Sequence, residues 1–99
     1  MRLSAESEGN QIFDANTSQK ETEEVMRDLI VQNLSLGKAI AITFNEFGDL
    51  SPTPAVGSFF GEIQDYLENR GFDPGIKVKN FTDENGNITK SILLITRRK

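Results

Sequence analysis

The spacing of apolar residues changes repeatedly along this chain, and each change marks an element. Val25, Met26, Leu29, Ile30 and Leu34 recur at three- and four-residue intervals and predict a first helix. Ser18 and Glu21 form a capping box at its start, and Glu21, Glu23 and Glu24 suit the positive end of the helix dipole. Gly37 supplies the left-handed stop. In Lys38-Ala39-Ile40-Ala41-Ile42-Thr43-Phe44 the period falls to two. Ile40, Ile42 and Phe44 take one face and Ala39, Ala41 and Thr43 the other; both faces are apolar or small, which predicts a central strand covered on each side. After a polar loop, Thr53 as cap and Pro54 at the first helical position open a second helix. Its buried stripe is Val56, Phe59, Phe60, Ile63, Tyr66 and Leu67, and Gly71 ends it. Residues 1–10 are polar and glycine-containing and read as a loose N-terminal segment before a short strand around Gln11-Ile12-Phe13.

Ile76-Lys77-Val78-Lys79 alternates as a strand, and two readings follow it. In one, Asn85-Gly86 closes a two-residue hairpin that sets Val78 opposite Leu93 and Ile76 opposite Ile95, giving a βαβαββ α+β sandwich. In the other, a helix capped near Asn87 carries Ile88, Ile92 and Ile95 on one stripe. Arg97, Arg98 and Lys99 then complement its C-terminal dipole, and the chain is βαβαβα. Pattern alone favours the hairpin, because β-branched residues dominate 88–96 and Leu94 falls off the helical stripe.

Composition narrows the chemistry. The chain has 99 residues with no Cys, His or Trp. Nucleophile systems built on His or Cys, redox dithiols and thiolate or imidazole metal sites are therefore excluded. No pair of groups with acid and base roles stands out, so the expectation is a non-enzymatic single domain without cofactor. A signal-type leader and a membrane-length apolar run are both missing, which suggests a cytoplasmic protein; a monomer is the expectation. The net charge of -4 is unevenly spread: residues 1–66 hold eleven acids against four bases, and residues 67–99 four acids against seven bases. An acidic total opposes nonspecific nucleic-acid binding, while the basic C-terminal third keeps a local version open.

The order of segments resembles the STAS-like domains of unknown function found in bacteria and phages. The matching stretches are Thr17-Ser18, Leu36-Gly37, Ile40-Ala41-Ile42-Thr43-Phe44, Ser58-Phe59-Phe60-Gly61-Glu62-Ile63 and Ile76-Lys77-Val78-Lys79-Asn80. Ile92-Leu93-Leu94-Ile95-Thr96-Arg97-Arg98 stands where that family closes with a helix. The resemblance covers roughly residues 11–98. It implies a small α/β domain, βαβαβα, with a short mixed sheet packed by helices. STAS domains proper are anti-sigma-factor antagonists; they bind an ATP-using serine kinase, which phosphorylates a hydroxyl where the second helix begins. The resemblance thus implies a regulatory protein-binding role and a kinase-like, ATP-binding partner. Here the phosphorylated position falls on Pro54, which has no hydroxyl, so Ser51, Thr53 and Ser58 become the candidate regulatory hydroxyls. The implied partner surface is Glu46, Phe47, Asp49, Thr53 and Phe59.

Other constellations are weighed on their residues. Gly57 and Gly61, four apart in the second helix, suggest either close approach of the helix backbone to the strand or access for a partner. Glu46 and Asp49, with Asp73 or Asp83, lack the ligand spacing of a magnesium site and read as solvated loop carboxylates. In the hairpin reading Lys77, Lys79 and Phe81 share a face with Lys90, Ile92 and Leu94. With Arg97 and Arg98 this makes the alternative RNA-binding face, resembling in outline small βαβαββ domains of the Alba and ribosome-associated kinds.

Overall fold

Glu8 and Gly9 both take positive φ, 53° and 79°, the paired left-handed conformations of a two-residue type I′ turn. That turn joins β1 (Arg2–Ser7) to β2 (Asn10–Asn16), with Ser7 opposite Asn10. In this computed structural model the described residues are 1–16, 19–48 and 50–98, with the side chains of all of these but 19–22. The elements that follow are α1 (Gln19–Ser35), β3 (Ile40–Asn45), α2 (Pro52–Asn69), β4 (Pro74–Thr82) and β5 (Ile88–Arg97). Among the described residues five strands form one antiparallel sheet in the order β2-β1-β3-β5-β4, an α+β arrangement with two helices in place of the mixed βαβαβα sheet that the resemblance implied.

The expectation of a loose N-terminus is corrected. Residues 2–7 form the second strand of the sheet, paired with β2 on one side and β3 on the other. Leu3 and Ala5 are fully buried opposite Phe44 and Ile42, so two apolar residues at strand spacing suffice once neighbours cover them. Ser7 is buried as well, and its Oγ donates to the carbonyl of Ala39 at 2.8 Å.

The terminal helix is also corrected: residues 88–97 are a strand between β3 and β4. As a strand the segment places Leu93 and Ile95 at zero exposure opposite Ile42 and Ile40, and its backbone occupies what would otherwise be an open edge of β3. The hairpin register is the one read from the sequence, with Val78 opposite Leu93 and Ile76 opposite Ile95. Its turn differs. Gly86 N–H donates to Asp83 O and Asp83 N–H to Asn87 O, with Gly86 at φ 82°, so Asn85 and Gly86 belong to a three-residue loop ending in a left-handed glycine. The Asp83 carboxylate accepts the N–H groups of Asn85 and Asn87 at 2.9 and 3.0 Å, a local pull the two-residue turn lacks.

Both helices end as their glycines predict. Lys38 N–H donates to Asn33 O and Gly37 N–H to Leu34 O; Phe72 N–H donates to Leu67 O and Gly71 N–H to Glu68 O. Each pair is a Schellman closure around a glycine of positive φ. The capping box of Ser18 and Glu21 lies outside the described residues. The predicted cap of α2 shifts by two positions: Ser51 is the N-cap, without a side-chain cap bond, and Pro52 holds the first turn.

The core is one layer of side chains between helices and sheet. Met26, Ile30 and Leu34 of α1 and Val56, Phe59, Ile63 and Leu67 of α2 meet Leu3, Ile40, Ile42, Phe44, Leu93 and Ile95. Phe44 and Phe59 touch edge to face, with centroids 5.1 Å apart at 78°. The helices therefore cover one face of the sheet only. Ala41 and Thr43, expected under a second cover, are half-exposed on the other. Among the described residues no helix is long and apolar enough to cross a membrane.

Candidate functional site

The sheet ends at β4, whose outer side pairs with no strand among the described residues. Along this edge the N-terminal half of α2 faces the C-terminal half of β4. Between them lies a cleft of about 160 Å³ lined by Thr53, Val56, Gly57, Phe60, Val78 and Asn80. Val78 projects to the helix side yet is 43% exposed: it lies on the border strand, and it lines the cleft together with Gly57 of α2. Phe60 is half-buried and forms one apolar wall, while Val56 is buried at the floor. Asn80 is held by Ser91, whose Oγ donates to Asn80 Oδ1 at 2.6 Å.

The glycines of α2 change meaning here. Close approach to the strand was one expectation, and the structure corrects it: a Cβ at Gly57 or at Gly61 would meet no atom within 4 Å. The fold does not need either glycine, and Gly57 leaves the cleft open.

The sequence-derived sites divide. Thr53 is exposed and lines the cleft, and the two-residue shift frees it from the capping role expected of it. Ser51 and Ser58 are exposed, but neither lines the cleft. The partner surface of Glu46, Phe47, Asp49, Thr53 and Phe59 is not a single surface. Glu46 is exposed, 3.9 Å from Arg2, with φ 48°; this left-handed residue turns the chain so that Phe47 is buried against the core. Phe59 has zero exposure, and Asp49 lies outside the described residues. Phe60 takes the place at the surface that was expected of Phe59, because α2 turns residue 59 toward Phe44 and residue 60 toward β4.

The basic face is partly assembled. On the uncovered side of the sheet, Lys77, Lys79 and Phe81 stand opposite Leu94, Ile92 and Lys90. The ammonium groups of Lys79 and Lys90 lie 5.2 and 4.5 Å from the Phe81 ring centre, so lysines already occupy the aromatic surface. Arg97 belongs to the opposite face: it donates to Leu34 O at 3.4 Å and stacks 6.0 Å from Phe72. Arg98 pairs with Asp73 at 3.1 Å, and Lys99 lies outside the described residues.

Of the loop acids, Asp73 is engaged by Arg98 and Asp83 by backbone N–H groups. Among the described residues no group of three acidic side chains is placed to hold a metal ion. Toward the other edge, Arg2 Nε and Nη2 donate to the two oxygens of Asp14 at 2.9 and 2.8 Å. This fork holds the Asp14 carboxyl below the usual carboxylate range.

Sequence reasoning missed Val78 and Asn80 as site residues, since strand alternation assigned Val78 to the core. The sequence signals for the cleft were Gly57, a glycine inside an amphipathic helix, and Thr53, a hydroxyl near the start of that helix. Compared with protein-family models, curated proteins and solved structures, the chain shows no match.

Proposed function

We propose that this protein is a non-enzymatic cytoplasmic module that binds another protein, and that the cleft between α2 and β4 is where it docks. The observation that carries the reading is Gly57: a helix-interior glycine that nothing in the fold requires keeps an apolar cleft open beside an exposed Val78. Pockets with an apolar lining and a few fixed polar groups are the usual form of a binding site. The resemblance to STAS-like domains implies a regulatory role, since in STAS domains proper a kinase partner phosphorylates a hydroxyl where the second helix begins; residues 88–97 are a strand where that family closes with a helix, so the docking reading rests on the cleft. Thr53 is the hydroxyl that would place a phosphate at that docking site.

RNA binding at Lys77, Lys79, Phe81 and Lys90 is the second reading, favoured by their common face. It ranks below the first because the one aromatic there is occupied by two lysines and the chain as a whole carries a charge of -4.

Site-specific photocrosslinking in the source cells tests both. With a photoreactive residue at Thr53, a discrete protein adduct is expected that disappears in the Gly57→Leu variant; with the same residue at the exposed Gln32 of α1, no such adduct forms. Equal adducts from both positions, or adducts to RNA alone, would remove the docking reading.

A further inference from the structure

We infer that the cleft and the edge strand together take an extended, acidic segment of the partner protein, added to β4 as a sixth strand whose residues alternate between apolar and acidic. This rests on the reading of the cleft as the docking site and states the chemistry of what enters it.

Three observations converge. First, β4 lies at the border of the sheet and is regular from Gly75 to Phe81, between Pro74, which has no N–H, and an irregularity at Phe81/Thr82; that stretch offers backbone partners to an added strand. Second, the space beside it on the helix side is open and largely apolar: Val78 is exposed, Phe60 forms a wall, and a Cβ added at Gly57 would meet nothing. A strand lying about 4.8 Å outside β4 would point every second side chain into that space. Third, the intervening side chains of such a strand would stand on the uncovered face, next to Lys77 and Lys79. Period two then turns one edge into a two-sided reader, with apolar residues taken by the cleft and acidic residues by the lysines.

The lysines also exclude the simplest competing occupant. In antiparallel pairing of two β4 strands about their centre, Lys77 and Lys79 of one copy would face the same lysines of the other. An edge that repels its own kind and carries open main-chain groups selects a segment of opposite charge. A polyphosphate chain would satisfy the lysines, but it has neither strand hydrogen bonds nor apolar side chains for the cleft.

The test uses the full chain and a displayed library of random eight-residue segments, followed by a synthetic peptide alternating Glu and Val. Enriched segments are expected to alternate acidic and apolar residues. The Glu-Val peptide is expected to slow hydrogen exchange at alternate amides of residues 75–81 by tenfold or more. Its affinity should fall at least tenfold in Lys77→Glu/Lys79→Glu and in Gly57→Leu, with Gly57→Ala and thermal melts confirming that the fold is kept. Segments that bind and are lost in Gly57→Leu, yet show no acidic alternation or no alternate-amide protection, would overturn strand addition and leave the docking site standing. If no enriched segment responds to Gly57→Leu, both readings fall. Binding of oligouridylate in place of the peptides, lost in the lysine double variant, would also overturn the inference and put the nucleic-acid face in its place.

Discussion

Val78 and Leu93 stand directly opposite one another in the β4–β5 ladder, yet Leu93 has zero exposure and Val78 has 43%. The difference lies in what covers them. Leu93 sits between two strands beneath both helices' side chains, whereas Val78 belongs to the border strand and has Gly57 above it. A valine of strong strand propensity left uncovered in this way marks the molecule's open side, and the predictions below start from it.

Replacing Gly57 or Gly61 by Ala is expected to stabilise the protein. Each lies inside α2 without positive φ, and an added Cβ meets nothing. The gain should be about 0.5–1 kcal/mol per site, because Ala restricts the unfolded chain and favours the helix. Thermal unfolding of the single variants measures it. A loss of stability at either position would mean that the glycine is used within the fold after all.

The adjacent phenylalanines should separate cleanly. Phe59→Ala removes the ring packed on Phe44 and is expected to lower stability by about 3–5 kcal/mol, a large part of what a domain of this size has. Phe60→Ala, at the half-buried cleft wall, should lower stability less and affect binding more. Urea unfolding of the two variants, read beside partner affinity, checks the assignment of core and surface.

The 83–87 turn gives a third prediction. Gly86 adopts φ 82°, which L side chains rarely take, so Gly86→Ala should destabilise the hairpin by about 1 kcal/mol. Asp83→Ala should also destabilise, since its carboxylate accepts two backbone N–H groups. Amide exchange in β4 and β5 would show the loss as faster opening at the turn end of the ladder.

Asp14 should titrate below an ordinary carboxylate. The hydrogen bonds from Arg2 favour its charged form, so the folded pKa is depressed. The stability this adds is present above the unfolded carboxylate value of about 3.9 and is lost as pH falls through the lower folded value. Carboxyl NMR titration follows it directly, and Arg2→Ala should return the midpoint toward the ordinary value. Because both groups are exposed, the shift should shrink in high salt.

Thr53→Glu should weaken partner binding without lowering the melting temperature. The side chain is exposed, lines the cleft and has no capping duty, and a carboxylate in the first turn of α2 suits the positive end of the helix dipole, so the loss of binding would not come from unfolding. Against an acidic segment the added carboxylate repels. Titration of the Glu-Val peptide into wild type and variant, with melts in parallel, tests both halves of the statement.

Much of the fold was local and therefore legible. Gly37 and Gly71 end their helices through backbone geometry that only a few residues around each glycine decide. The pairing of Val78 with Leu93 was present in strand period and the Asn85-Gly86 turn signal as one of two readings, although the family resemblance pointed to a helix and the turn formed one residue longer than that signal implied. By contrast, β1 was illegible because only Leu3 and Ala5 carry its core face, and a strand so poor in apolar residues forms only when β2 and β3 flank it. The helix expected at 88–98 failed for a related reason. Its residues suit either period, and the open edge of β3 decided between them.

The sequence by itself left residues 88–97 open between helix and hairpin, but it determined α1 and α2 and their glycine stops, the absence of Cys and His chemistry and the basic character of the C-terminal third. Each is set by residue type or by neighbours within a turn or two. Tertiary structure decided which face each helix turns inward, burying Phe59 and leaving Phe60 at the surface, and it made β4 the border of the sheet. It also placed Gly57 beside Val78, residues of consecutive elements that lie 21 positions apart in the chain. The cleft exists only where those two meet, because an absent side chain shapes a surface only once the opposing strand is in place.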